Sequence, residues 1–270
     1  MGFNYIRFTS PGSEKKFNED AVETSEIDDG LLAVLWDGVG GENGGELAAR
    51  IALKSALYFF SASENSDYLE KIKLSIEESN SFVLNHSASS IPEKNMATTL
   101  EMFYLKDNVV YWGHIGDSRI YHLKSKRLNQ LTKDHSLVQK LLDEGYITHK
   151  QASNHPQKNV IIKALGENEI IEPDTSKIKL NEKEENRFFI CSDGVSNLIN
   201  TTELEEVLVI KDLEEIKNKI IKMIKLRGAA DDYSFILIEI TKWLAEDYRI
   251  IKCFHYFDKE EWERFIKFLI

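Results

Sequence analysis

Five segments of this 270-residue chain put an acid at the edge of an apolar run: FNEDAV (Glu19, Asp20), LWDGVGGENGG (Asp37), HIGDSRIY (Asp117), FFICSDGV (Asp193) and AADDYSFILI (Asp231, Asp232). One acid in such a place is an ordinary turn former or helix cap, because its short carboxylate bonds the adjacent backbone. Repetition of the arrangement points elsewhere. If the acids converge, each pair about 5 Å apart repels by roughly 3 kcal/mol even at an effective dielectric near 20, so the cluster needs cations. Carboxylates, a backbone carbonyl and water suit Mg²⁺ or Mn²⁺, and no Cys or His stands at the spacing of a zinc site. Two such ions sharing a water lower its pKa and align it on a phosphorus centre, which is metal-assisted hydrolysis.

Short strands must deliver these acids. Asn4 to Ser10, Ala21 to Ser25 and Leu31 to Trp36 read as strands bounded by Gly, Asn and Asp. A glycine loop then feeds a helix from Gly45 to Phe60, with Leu47, Ala48, Ile51, Ala52, Ser55 and Phe59 on one face, and a second amphipathic helix from Asp67 to Asn85. Between Ala97 and Thr132 the alternation of TTLEMFYL, NVVYWGHIG, SRIYHLK and RLNQLT predicts an antiparallel meander. A helix at Ser136 to Glu144 and a polar stretch at His149 to Asn159 follow, then strands at Thr175 to Leu180 and Arg187 to Cys191. Helices at Thr202 to Leu208 and Leu213 to Leu226 precede a last strand, Tyr233 to Ile240. Strands in runs and helices in pairs predict an α+β fold: two antiparallel sheets packed as a sandwich, with helix pairs outside in an α-β-β-α order.

Composition narrows the function classes. The net charge is −11 with both signs mixed along the chain, so no basic stripe offers itself to nucleic acid. Only Cys191 and Cys253 are present, far apart, and the start MGFNYIRFTS lacks a signal-peptide pattern, which predicts a cytoplasmic protein. Ile6 stands where a myristoylation signal needs Ser or Thr, and no apolar run reaches the roughly 20 residues of a membrane span. GVGGENGG lacks the Lys-Ser/Thr ending of a P-loop and the spacing of a dinucleotide fingerprint. Cys191, inside the apolar FFIC run without a Cys-x5-Arg pattern, reads as core.

Taken in order, FNEDAV, WDGVGGENGGELAA, MATTL, GHIGDSRIYHL, LTKDHSLV, CSDGVSNLI and DDYSFIL resemble the motifs of the metal-dependent protein phosphatase family, the protein phosphatase 2C type in its bacterial form. The resemblance runs from about Asn4 to Ile240. It implies that Asp37 bridges two ions, that the Gly38 carbonyl and Glu19 join one of them, that Asp193 and Asp231 hold the other, and that Asp20 supports the cluster. It further implies Mn²⁺ or Mg²⁺ as the cofactor and phosphoserine or phosphothreonine in protein, made by a serine/threonine kinase, as the substrate. An activated water then attacks phosphorus directly, with no phosphoenzyme. Lys15, Asp37 and Asp193 are the expected catalytic set.

The chain departs from that family's pattern in four places. Lys15 stands where an arginine usually holds phosphate, and lysine lacks the bidentate fork. Asn197 replaces an aspartate that partners the Asp117 position in a third, weaker metal site, leaving Asp117 as a loose ligand or a turn former. Asp232 stands where asparagine is usual and either raises metal affinity or faces solvent. Val39 fills the place of a proposed general-acid histidine; His114 and His135 read as locally bonded, so water or a metal ligand would protonate the leaving alkoxide. Arg119 reads as the partner of an acid, and Thr98 and Thr99 as plain strand residues.

Residues 1–240 thus form the expected phosphatase domain and 241–270 an aromatic-rich helical extension. In the extension Asp258 and Glu261 resemble a capping box, and Trp262, Phe265, Ile266 and Leu269 share a face. It covers the domain's own surface or makes a dimer or partner contact. The polar segment Lys133 to Leu165 is either an ordinary surface loop or a flap that governs substrate choice. Two rivals stay open, a catalytically weak or inactive phosphatase-like scaffold that binds phosphoproteins and a phosphatase of small molecules.

Overall fold

Between Leu31 and Trp36 alternate side chains enter different cores. Leu31, Ala33 and Leu35 pack in one buried cluster, and Leu32, Val34 and Trp36 pack in another. A strand apolar on both faces has to lie between two layers. The computed structural model, which describes residues 2–39, 44–89, 96–181 and 184–241, shows those layers to be a second sheet on one side and helices on the other.

In chain order the strands are β1 (Gly2–Ser10), β2 (Asp20–Ile27), β3 (Gly30–Val39), β4 (Ala97–Thr98), β5 (Leu100–Lys106), β6 (Val109–Ile115), β7 (Arg119–Lys124), β8 (Arg127–Gln130), β9 (Asp174–Lys179), β10 (Asn186–Cys191) and β11 (Tyr233–Thr241). The helices are α1 (Gly44–Ala62), α2 (Tyr68–Ser89), α3 (Leu137–Asp143), α4 (His149–Ser153), α5 (Asp193–Ser196), α6 (Thr201–Leu208) and α7 (Leu213–Leu226). One sheet runs β1-β11-β10-β7-β8 and the other β2-β3-β5-β6-β9, with β4 paired to β3. All pairs are antiparallel.

The α+β sandwich read from the sequence is therefore the fold. Between the sheets lie Phe103, Trp112, Phe188, Ile190, Ile236 and Ile238, with the rings of Phe103 and Phe188 5.0 Å apart. Burying either ring contributes about 2–3 kcal/mol. Helices α1 and α2 cover β3 and β5 through Ala52, Ala56, Phe60, Ile72 and Ile76. On the opposite face α7 places Ile216, Ile220 and Ile224, four residues apart and fully buried, against Phe189, Phe235 and Leu237.

The predicted meander differs in one respect. β5 pairs with β6 and β7 with β8, but β6 and β7 lie in different sheets. The chain changes sheets at Gly116, whose φ of +111° only glycine adopts readily, and a Cβ there would strike Thr99 at 2.5 Å. Asp117 follows at once, so the crossing itself brings that acid to the end of the sandwich. Residues 40–43 of the glycine loop and the extension 242–270, with its predicted helix, lie outside the described residues.

Candidate metal centre

Strand parity aims the acids. Asp37 continues the series Leu31, Ala33, Leu35 that faces the other sheet, and Asp232 lies at the same parity as Ile236 and Ile238 on β11. Asp20, the first residue of β2, sits directly across from Asp37 in the ladder. Like charges directly opposite on paired strands destabilise the pair, so this placement has a function other than folding. The carboxyls of Asp37 and Asp193 lie within hydrogen-bonding reach of one another.

Each acid is held by the backbone around it. Asp37 accepts at its carbonyl from the Thr99 N–H at 2.9 Å and the Thr98 hydroxyl at 3.0 Å, and its own N–H donates to the Thr99 hydroxyl at 3.0 Å. Thr99 can do this because it falls in the break between β4 and β5, where its side chain replaces a ladder partner for β3. Its hydroxyl also lies 3.1 Å from that of Ser118, beside Asp117. The Ser192 hydroxyl donates to Asp20 at 2.8 Å and accepts from the Ser234 N–H at 3.0 Å, which ties the end of β10 in one sheet to the start of β2 in the other. Gly194, just after Asp193, packs so tightly that a Cβ would meet the Asp232 carbonyl oxygen at 1.9 Å.

Lys15 and Glu19 come from the loop joining β1 to β2. Asp232, 2% exposed at its side chain, closes that loop by accepting from the Gly12 N–H at 2.9 Å and the Glu19 N–H at 2.8 Å. Asp232 is thus buried and fully engaged, and does not face solvent. Lys15 Nζ lies 2.6 Å from Asp231, 3.3 Å from Glu19 and 3.4 Å from Asp232.

Electrostatics show how much positive charge the cluster calls for. Burial, and then Asp20, Asp193, Asp117 and Asp231, push Asp37 well above the usual carboxylate range. Burial pushes Asp20 up to about 7 against the pull of its bonds to Ser234 and Ser192, and burial with Asp231 pushes Asp193 up to about 6. Asp117 is raised by burial, then by Asp193 and Asp134, and its Oδ1 is buried without a partner. Burial pulls the Lys15 ammonium down, but Asp231, Asp232 and Glu19 outweigh it and leave it above the ordinary lysine range. Among the described residues no three acid, histidine or cysteine side chains are drawn close enough to enclose an ion. Even so, the donor set fits hard divalent ions: it is all oxygen, it converges, and it holds an orphaned carboxylate oxygen.

Other sequence readings find their places. His114 Nδ1 is 2.6 Å from Glu101 and its Nε2 is 2.9 Å from the Lys133 carbonyl, in full burial, so its role is structural. His135 Nδ1 accepts from the Gly116 N–H at 3.1 Å. Arg119 forks onto Asp134 at 2.6 and 3.0 Å. Cys191 is fully buried with its thiol pushed far up by burial, which agrees with core. Asn197 donates to Asp193 at 3.0 Å. The positioning roles of Asp232, Ser192 and Thr99 were missed by sequence reasoning. For Asp232 a signal existed, since counting back from Ile236 in steps of two puts it on the inward face.

Fold and site together define a metal-dependent phosphoprotein phosphatase. The protein phosphatase 2C family model matches residues 9–226, and the chain belongs to that family. It is 32% identical over 240 residues to the serine/threonine phosphatase stp of Listeria monocytogenes, covering 86% of this chain and 93% of that one. The crystal structure of the Mycobacterium tuberculosis serine/threonine phosphatase PstP superimposes with a TM-score of 0.80 at 30% identity, over 88% of this chain and 98% of that one. The catalytic domain of PstP in complex with two manganese ions matches with a TM-score of 0.78 at 27% identity, over 88% and 99% of the two chains.

Proposed function

We propose that the chain hydrolyses phosphoserine and phosphothreonine in proteins at the acid cluster, using two Mn²⁺ or Mg²⁺ ions. The observation that carries the reading is the convergence of Asp20, Asp37, Asp117, Asp193 and Asp231 from separate segments, at an electrostatic cost that divalent ions offset. Glu19, Asp37 and the Gly38 carbonyl would hold one ion, Asp37, Asp193 and Asp231 the other, with Asp20 in support and Asp117 as the anchor of a weaker third. When bound, such ions supply Lewis acidity, stabilising negative charge at the phosphoryl group and making water more acidic.

The remaining work falls to the chain's own groups. Asp37 and Asp193 would orient the water and offset the charge of the ions, and Ser192, Thr98 and Thr99 keep their strands from recoiling. Lys15 adds charge for the phosphoryl oxygens as a point donor rather than a fork. His114 and His135, the histidines of the motifs, are engaged elsewhere, so solvent supplies the proton to the leaving alkoxide.

Substrates made by a serine/threonine kinase fit this chemistry, and the absence of any helix long and apolar enough to cross a membrane among the described residues is compatible with action in the cytoplasm. The extension after Thr241 is proposed as a separate structural unit that contacts the domain, a second copy or a partner. The test is hydrolysis of a phosphothreonine peptide with Mn²⁺, Mg²⁺ or chelator by wild type and Asp193→Asn. Turnover that requires metal and drops at least a hundredfold in the variant is expected. A folded protein that binds the peptide without turnover in either metal would instead be a phosphoprotein scaffold.

A further inference from the structure

Lys15 is the one cation whose Nζ lies within 3.5 Å of three separate acids among the described residues, and those acids arrive from opposite ends of the chain. Its ammonium has three N–H donors and three carboxylates to receive them, Asp231 at 2.6 Å, Glu19 at 3.3 Å and Asp232 at 3.4 Å. Two of the three, Glu19 and Asp231, belong to the proposed ion sites. The third does not move with them. Asp232 is pinned by the Gly12 and Glu19 N–H groups, and at 2% exposure it cannot turn to solvent. Two of the positions that depart from the motif pattern, Lys15 and Asp232, touch one another at 3.4 Å.

We propose that Lys15 is a built-in cation of the cluster, tethered by Asp232, that occupies the Glu19 and Asp231 edge and is displaced when a divalent ion takes those carboxylates. This rests on the metal reading above and adds to it a competition inside the protein. Three consequences follow from geometry and charge. The metal-free cluster is already partly neutralised, so the chain keeps its sandwich end assembled without ions. Metal affinity is lower than the acids alone would give, because an ion that takes Asp231 must break its 2.6 Å pair with Lys15, and an ion that takes Glu19 must break the 3.3 Å contact. The displaced ammonium stays on a flexible four-carbon stem beside the ions, where it can turn to a phosphoryl oxygen.

The loop also supplies its own control. Lys16 is the next residue, is exposed, and carries the same charge. If bulk electrostatics alone mattered, removing either charge would raise metal affinity similarly. If Lys15 competes directly, only its removal does so.

The experiment is titration calorimetry with Mn²⁺ alone on chelator-stripped protein, for wild type, Lys15→Met, Lys15→Gln and Lys16→Met, together with thermal melts in chelator and in Mn²⁺. Lys15→Met and Lys15→Gln should bind Mn²⁺ about tenfold more tightly than wild type and melt lower in chelator, with the loss recovered on adding Mn²⁺. Lys16→Met should stay within about twofold of wild type in affinity. Equal or weaker Mn²⁺ binding by both Lys15 variants would overturn the inference while leaving the metal reading intact. So would equal tightening by Lys16→Met. Wild type that takes up no Mn²⁺ would overturn both readings. A Lys15 variant unfolded in chelator supports the proposal if Mn²⁺ refolds it and contradicts it if Mn²⁺ does not.

Discussion

Thr99 shows how much of a site is made by residues that never touch the reacting atoms. Its hydroxyl stands in for a strand partner of Asp37, and its neighbour Thr98 bonds the same residue's carbonyl. Thr99→Val keeps the branched shape but leaves the Asp37 N–H unpaired, at a cost of about 1–3 kcal/mol. The expected result is a melting temperature several degrees lower and a weaker Mn²⁺ isotherm, with the peptide KM little changed at saturating metal. An unchanged isotherm would mean that Thr99 only packs. In the sequence Thr98 and Thr99 look like any strand opening, because nothing local says that β4 and β5 are separate strands. The acids were legible for the opposite reason: Asp37 and Asp193 each end an apolar run, a pattern that survives without knowing the fold.

At the scale of elements, the segment from Lys133 to Leu165 is pinned to the catalytic end by several short contacts. His114 bonds the Lys133 carbonyl, His135 holds the Gly116 N–H and Leu165 bridges Thr98, while the Ser136–Ile161 bridge closes the segment on itself. Burial lowers both imidazoles to about 4 and raises Glu101 well above its ordinary range. Glu101 and His114 therefore hold one proton between them in the fold. The unfolded chain also holds one on that pair between roughly pH 4.5 and 6.5, now on the imidazole, so the pair contributes no slope there. His135 is different. Its folded pKa is depressed, so its share of stability is present above about pH 6.5 and lost as pH falls towards 4. Asp20 and Asp193, raised by burial, act in the reverse sense, so the informative quantity is the difference between wild type and His135→Asn. That difference should shrink as pH drops from 6.5 to 4.5 in urea titrations, by up to about 1.4 kcal/mol per pH unit. A difference independent of pH would show that His135 is not neutral in the fold. Sequence patterning placed the helix here well, at Ser136 to Glu144 against α3 at Leu137–Asp143 with Ser136 as its cap, because the capping signal is local. The sheet change at Gly116 was not legible, since alternation looks the same whether the next strand pairs or crosses over.

Across the whole molecule, the sandwich order was readable because strands come in runs and helices in pairs, and β3, apolar on both faces, lies between the two layers that pattern requires. The extension 242–270 is the part that family membership leaves unaccounted for. If it completes the domain, deleting residues 242–270 broadens or abolishes the cooperative melt. If it is an interface, the truncated protein melts as before and its sedimentation or partner capture changes. Differential scanning calorimetry alongside analytical ultracentrifugation separates these outcomes.

The hydrogen bond from Ser192 to Asp20 crosses from one sheet to the other, and the acids divide the same way: Asp193, Asp231 and Asp232 ride on the ends of β10 and β11, Asp20 and Asp37 on β2 and β3. Neither sheet owns the site. It works as a vernier between two rulers, correct only while the sheets keep their alignment, since one residue of slip along a strand is about 3.3 Å, more than a coordination bond. Ions held there would lock that alignment in turn, so that the interlayer rings of Phe103 and Phe188 and the proposed metals would hold the same degree of freedom from opposite ends.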